Sequence, residues 1–292
     1  AHGPRGPQGF YVQERWTVER GVDIVSKPRE PGEAFEFRCP NCGAAFQSTG
    51  DDECRFCHQH VGEGRFDWSV SHVRCLRQET RPPALTADVA EQGTDRPTLF
   101  DPQVQAQHAA LVAEDPGTRP ELIEQRLRAI YSQLNAAWTA LDLQKIRPLV
   151  SDSLYNYLVY WISAYRQQGL RNVLEDMTIE RLQIVKLVRD RHYDAITVRF
   201  WAEGRDYTVS LADNKRVSGS QTRKRKYSEY WTLIRGARVR GAPRDAGTCP
   251  SCGAPTDKVN MAGTCEYCGA HLTRGEFDWV LSKIEQDESY RG

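Results

Sequence analysis

Glu121-Leu-Ile-Glu-Gln-Arg-Leu-Arg-Ala-Ile-Tyr-Ser-Gln-Leu-Asn-Ala-Ala-Trp-Thr-Ala-Leu141 and, further on, Tyr193-Asp-Ala-Ile-Thr-Val-Arg-Phe-Trp-Ala202 bracket a change of period. In the first run Ile123, Leu127, Ile130, Leu134, Trp138 and Leu141 recur at helical spacing. In the second, β-branched and aromatic residues alternate, as on a strand. Residues 178–188, 205–211 and 223–235 read the same way, and Ala212, Asp213, Asn214 and Lys215 supply a turn. Thr118 and Glu121 have the spacing of a capping box for the first helix. Pro148 interrupts a second, short helix. Ser151 or Asp152 caps a third, with Leu154, Leu158, Trp161, Ile162 and Tyr165 on one side and Gly169 as its stop. Helices first and an antiparallel meander after them predict an α+β domain over 118–240, its helices on one face of the sheet.

Outward from this domain lie two cysteine sets. Cys39, Cys42, Cys54 and Cys57 precede it; Cys249, Cys252, Cys265 and Cys268 follow it. Each is Cys-x2-Cys, a gap, then Cys-x2-Cys, the pattern of one tetrahedral four-thiolate site. Zinc suits such a structural site best, with iron in a rubredoxin-like centre as the alternative. Two disulfides per set fit poorly, because paired Cys-x2-Cys units point to a shared ion. Two structural Zn2+ are therefore expected, with no open coordination position for catalysis. Three of the four knuckles end in Gly43, Gly253 and Gly269, where a positive φ lets amides face the sulfurs; His58 stands at the fourth. Cys75 reads as a small hydrophobe, and His60 and His271 as structural residues outside complete ligand sets.

The repeat runs past the metal ligands. His60, Gly64, Phe66, Asp67 and Trp68 recur in order as His271, Gly275, Phe277, Asp278 and Trp279. Phe66, Val70 and Val73, and likewise Phe277, Val280, Leu281 and Ile284, share helical spacing, which predicts a short tail helix after each ribbon. The expected organisation is an N-terminal extension (1–38), a first zinc ribbon with its tail helix (39–78), a linker with at most one weak helix (79–117), the central domain (118–240), and a second ribbon with its tail helix (247–290). On this reading the second ribbon is an appendage, so that Cys249→Ser would unfold it and leave the central domain folded.

Thirty-nine basic and 39 acidic side chains leave no net charge, so binding to nucleic acid or membrane needs a local patch. One candidate is Lys215, Arg216, Arg223, Lys224, Arg225 and Lys226 around one hairpin, continued by Arg235, Arg238, Arg240 and Arg244. It would meet phosphates of lipid headgroups or RNA; as a plain solvated edge it would discourage strand pairing. No nucleophile elbow, Walker loop, dinucleotide fingerprint or metalloprotease helix is present. Chelated thiols imply a reducing compartment. No apolar run reaches the length of a spanning helix. The sequence opens on Ala1 and not on methionine, which leaves room for a removed N-terminal signal or anchor.

Trp138 with Leu141-Asp-Leu143 and Ile146-Arg-Pro-Leu149, Gly169-Leu-Arg-Asn-Val173, Ile196-Thr-Val-Arg-Phe200 with Asp206-Tyr207, and Tyr227-Ser-Glu-Tyr-Trp-Thr-Leu233 together resemble the Tim44-like family. Its founding member tethers the import motor at the mitochondrial inner membrane, and a mitochondrial large-ribosomal-subunit protein belongs to it. The C-terminal ribbon with Phe277-Asp-Trp279 resembles the tail of bacterial members; the N-terminal ribbon is a departure. The resemblance implies a nuclear-transport-factor-like cone, with helices closing over a bent antiparallel sheet around an apolar pocket. Trp138, Tyr155, Trp161, Tyr165, Phe200, Trp201, Tyr207 and Trp231 would line that pocket. It implies non-enzymatic docking to a partner protein, a membrane-bound complex or anionic lipid, cytoplasmic and peripheral to the inner membrane, with homo-oligomers allowed. An RNA- or ribosome-associated module is the alternative, and an enzyme using the pocket a third reading.

Overall fold

The computed structural model describes residues 11–25, 39–44, 53–62, 64–79, 91, 93–244 and 247–292. The chain divides into two units, Ala1–Pro83 and Ala84–Gly292.

The larger unit is α+β. Helix α1 spans Val104–Glu114, α2 Pro120–Thr139 and α3 Asp152–Gln167. Strands β3 (Leu170–Arg189), β4 (Tyr193–Ser210), β5 (Arg216–Gly219), β6 (Arg225–Gly236) and β7 (Val280–Gln286) form one antiparallel sheet. Its order is β3-β4-β6-β7, with β5 beside the outer half of β4. Ile123, Leu127 and Ile130 of α2 and Leu154, Leu158 and Ile162 of α3 pack in one core with Ile196, Val198, Phe200 and Leu233 of the sheet. The periodic residues of 121–141 are thus the buried stripe they were read to be.

Strand β4 unites the two runs read as 193–202 and 205–211. Gly204 lies opposite the register shift between Glu175 and Thr178, and a Cβ there would stand 2.1 Å from Met177 Sδ. Three register shifts along β3 add to the curvature. The helices lie over this bent sheet and leave a cavity beneath them, as a cone requires.

The ends of the helices divide the expectations. Ser151 caps α3, its Oγ accepting from the Leu154 amide at 3.3 Å. Asp152 instead binds Arg147 and accepts from Thr273 Oγ1 at 2.8 Å. Gly169 ends α3 at φ +65°, its amide donating to Arg166 O. The capping box is not formed. Thr118 lies in a 3-10 turn, and α2 starts at Pro120, whose fixed φ and missing N–H suit the first helical position. Ser151→Ala should cost about 1 kcal/mol, read as a lower urea midpoint; an unchanged midpoint would show that the cap contributes nothing.

The stretch read as linker contains α1 and packs on the sheet. Leu111 is fully buried, the Asp101 amide donates to Val185 O, and Arg199 donates to Arg96 O at 2.8 Å.

Neither ribbon is followed by a helix. Residues Ser69–Glu79 form strand β2 in the smaller unit, antiparallel to β1 (Tyr11–Glu19), a strand within the expected N-terminal extension. The second tail is β7. The helical spacing that predicted helices comes from β-bulges. Val18 faces Val70 and Trp16 faces Val73, with one extra residue on β2 between the pairs. Leu233 faces Leu281 and Trp231 faces Ile284, with the same excess on β7. A bulge puts residues i and i+3 on one face of a strand, which imitates helical period.

Candidate functional site

Four-cysteine clusters form at both predicted places, with all Sγ atoms of each within 4.8 Å of one another. Four thiolates at about 2.3 Å from a tetrahedral ion stand about 3.8 Å apart. Cys39–Cys57 and Cys42–Cys54 are 3.7 and 3.8 Å apart; Cys249–Cys268 and Cys252–Cys265 are 3.8 and 3.9 Å apart. These separations fit a shared metal ion and are far too long for disulfides.

The four knuckles share one backbone geometry. Gly43, His58, Gly253 and Gly269 all have φ between +56° and +76°. Their amides donate to the carbonyls of Cys39, Cys54, Cys249 and Cys265, whose own amides donate to Ala44, Gln59, Ala254 and Ala270 O. His58 adopts the left-handed conformation despite its Cβ and hydrogen-bonds Glu53 at 2.7 Å. The Asn41 side chain and the Gln59 amide pull the Cys57 thiol down to about 6. The Ala270 amide pulls Cys268 down to about 7. Their cluster partners Cys42 and Cys252 move the other way, up to about 11 and about 12: the Ala44 and Ala254 amides oppose the rise, but burial and the neighbouring thiols outweigh them and disfavour a second thiolate in each cluster.

Beyond the ribbons the repeat is longer than the cysteine pattern. Glu14-Arg-Trp-Thr-Val-Glu-Arg-Gly21 on β1 matches Glu229-Tyr-Trp-Thr-Leu-Ile-Arg-Gly236 on β6, a likeness sequence reading passed over because ligand spacing drew the boundary at Cys39. Trp16 Nε1 donates to Glu14 at 2.8 Å, and Trp231 Nε1 to Glu229 at 2.8 Å. Arg20 lies 4.7 Å over Trp68, and Arg235 4.5 Å over Trp279. The Gly21 amide donates to Gly64 O and the Gly236 amide to Gly275 O. A Cβ at Gly64 would stand 2.7 Å from Arg20 Cα, and one at Gly275 2.9 Å from Arg235 Cα. The bulges coincide, between Thr17 and Val18 and between Thr232 and Leu233. The unit β1–ribbon–β2 therefore repeats β6–ribbon–β7.

The basic residues do not form one open face. Lys215 pairs with Asp213, Lys224 with Glu203, Arg225 with Glu91 and Asp206, and Lys226 with Glu180. Arg216 donates to Gly219 O. Arg223 and Arg238 stand exposed. Arg235 is 1% exposed, paired with Asp115 at 2.9 Å, and cannot meet a surface. Strand alternation turns it inward. Burial opposes ionisation of Asp115, but the Gly241 and Gly117 amides and Arg235 outweigh it and hold the carboxyl below its usual range.

Beneath the helices lies a cavity of about 410 Å³. Trp138, Trp161, Tyr165 and Trp231 line it. Tyr155, Phe200, Trp201 and Tyr207 do not. Phe200 is core, edge-on to Tyr131 at 5.5 Å and Trp231 at 5.1 Å. Tyr155 stacks under Arg147, Trp201 lies between Arg181 and Arg199, and Tyr207 donates to Glu175. Residues 199 to 201 alternate faces, so Phe200 and Trp201 could not share a wall. Sequence reading missed Glu91, Asp206, Tyr227 and Glu229. Tyr227 and Glu229 were within reach, since they share a strand face with Trp231. Glu229 accepts from Trp231 Nε1 and, at 2.6 Å, from Gln286 Nε2. Burial pushes its carboxyl up to about 7 against those two bonds, and the Glu91 and Asp287 charges add to the rise. Among the described residues that line the cavity there is no histidine.

Residues 104–244 match the model of the Tim44-like domain. This stretch is similar to the Tim44-like domain. Its match begins at α1, inside the stretch read as linker, and ends before the second ribbon. Tim44-like domains generally belong to non-enzymatic tethers and adaptors associated with membranes or protein complexes. Among solved structures, the intermembrane space region of the chloroplast protein ARC6 is similar over 57% of this chain and 95% of its own, at 8% identity and a TM-score of 0.30. No curated protein matches the chain. Among the described residues no helix is long and apolar enough to cross a membrane.

Proposed function

We propose that this protein is a non-enzymatic, zinc-stabilised adaptor whose first ribbon docks to a partner protein by completing its sheet. The two copies of the repeat carry this reading, because they differ in one respect. In the second, Trp231 and Trp279 are 3% and 0% exposed under the Tim44-like cone; in the first, Trp16 and Trp68 are 59% and 56% exposed. Val18, Val70 and Val73 are exposed beside them, where Leu233 and Leu281 are fully buried. An exposed apolar face on a two-stranded ribbon marks an interaction surface, and such a ribbon is marginal alone. The second copy supplies the geometry: β6 pairs with β4 on one edge, and its inner face meets α2 and α3. The partner of β1–β2 is accordingly a protein with an antiparallel edge strand and an apolar layer behind it. A cytoplasmic site beside the inner membrane, zinc in both clusters and a partner in a membrane-bound complex complete the proposal.

The test is a photo-crosslinking amino acid at position 18 or 70 of the full chain in cells, with position 22 as an exposed control. A discrete protein adduct from 18 and 70, absent from 22, is expected. Adducts to lipid alone, matched by salt-sensitive sedimentation with anionic vesicles, would replace the protein partner with a membrane surface. Absence of adducts at 18 and 70 would overturn the docking role.

A further inference from the structure

The cavity of the cone is lined by aromatic rings and short of positive charge. Trp138, Trp161, Tyr227 and Trp231 supply ring faces and edges, and Tyr157 stands exposed at the rim. Among the described residues three carboxylates line it, from Glu91, Asp206 and Glu229. The one cation among the described lining residues, Arg225, is already shared between Glu91 at 3.1 Å and Asp206 at 3.3 Å. Glu229 has two neutral donors and no cationic partner among the described residues. The Glu–Trp pair by itself is a trait of the strand, since Glu14 and Trp16 form it at an exposed surface. What distinguishes the second copy is its place beside a cavity, with its tryptophans buried. There a carboxylate faces a cavity wide enough for a ligand, with π-faces around it. Trp161 Nε1, from α3, is buried and has no hydrogen-bond partner among the described residues.

We infer that the cavity binds an organic ammonium ion, its positive head between Glu229 and the aromatic rings and an acceptor oxygen on its short apolar body reaching Trp161 Nε1. Ring quadrupoles attract such a cation, and its poorly hydrated surface makes desolvation cheap beside a carboxylate that water does not fully screen. A neutral ligand of the same shape would fill the space and leave Glu229 without a counter-charge. An anion would be repelled.

The state of Glu229 gives the site a pH dependence. Burial and the neighbouring Glu91 and Asp287 charges raise its carboxyl to about 7, while the Trp231 and Gln286 donors oppose the rise. Arg225 is held by Glu91 and Asp206, and burial pushes the hydroxyls of Tyr131 and Tyr227 up, so both stay neutral. A bound cation favours the ionised carboxylate, so binding should release a proton near neutrality and weaken roughly tenfold from pH 8 to pH 6.

The experiment titrates the full chain with butyrylcholine and with 3,3-dimethylbutyl butyrate, its neutral isostere, following the indole N–H resonances of the tryptophans. The ammonium ester should bind at least about tenfold more tightly than the isostere and shift the indole signals of Trp161 and Trp231. Glu229→Gln should remove most of that preference, and Trp161→Phe should weaken both ligands without removing it. The pH profile on the unmutated chain decides the matter independently if Glu229→Gln does not fold. Equal binding of ester and isostere would reduce the cavity to an apolar pocket, and absence of binding by butyrylcholine would overturn the proposal. Neither result touches the docking role of the first ribbon.

Discussion

Cys249→Ser is expected to destabilise the whole Ala84–Gly292 unit, by on the order of 3–5 kcal/mol, the scale of deleting a buried tryptophan. The second ribbon is built into the cone. Gln144 Nε2 donates to Val259 O at 2.7 Å, and buried Arg147 donates to Met261 O at 2.9 Å. From the ribbon the chain runs into Trp279, 0% exposed, whose carbonyl accepts from Arg126 at 3.0 and 2.8 Å. Strand β7 then pairs with β6. Loss of one thiolate would break the four-cysteine set, fray the ribbon and release the anchor of an edge strand. Urea unfolding followed by near-ultraviolet circular dichroism measures this. Cys39→Ser, in the other unit, should leave that transition in place. If Cys249→Ser also leaves it in place, the second ribbon is the appendage its spacing first indicated.

Asp287→Ala should cost about 3–5 kcal/mol, because it strands a buried guanidinium. Arg199 is 0% exposed and pairs with Asp287 at 2.7 Å. Asp287 also accepts from Ser228 Oγ at 2.6 Å, and Gly93 packs so closely that a Cβ there would stand 2.2 Å from Asp287 Cβ. Against a total stability of about 5–15 kcal/mol the loss is large. Adding Arg199→Met should recover most of it, since the apolar pair avoids the uncompensated charge. Equal destabilisation by single and double variants would show that packing at Gly93, and not the charge, sets the cost.

These two sites show where sequence reading stopped. Arg199 alternates with Val198 and Phe200 in an apolar strand, and nothing local marks its partner 88 positions away at Asp287. Arg235 was placed on a basic surface because its neighbours in sequence are basic; strand alternation and Asp115 draw it inside. The cavity carboxylates come from three distant segments, at Glu91, Asp206 and Glu229, so no window of sequence contains them. The tails misled for a different reason: a β-bulge spaces buried residues as a helix does.

The sequence by itself determined the features that depend on short stretches of chain. Cys-x2-Cys knuckles bring their own ligands together, with a residue of positive φ closing each loop. The apolar stripe of 121–141 and the alternation of 193–202 declare a helix and a strand, and with them the α+β class. Only the tertiary structure decided what each repeat copy does. The copies share Glu14, Trp16 and Thr17 with Glu229, Trp231 and Thr232, yet one presents its tryptophans to solvent and the other buries them. Burial belongs to the surroundings, to whether helices and a neighbouring strand lie over the face, and those contacts join residues far apart in the chain.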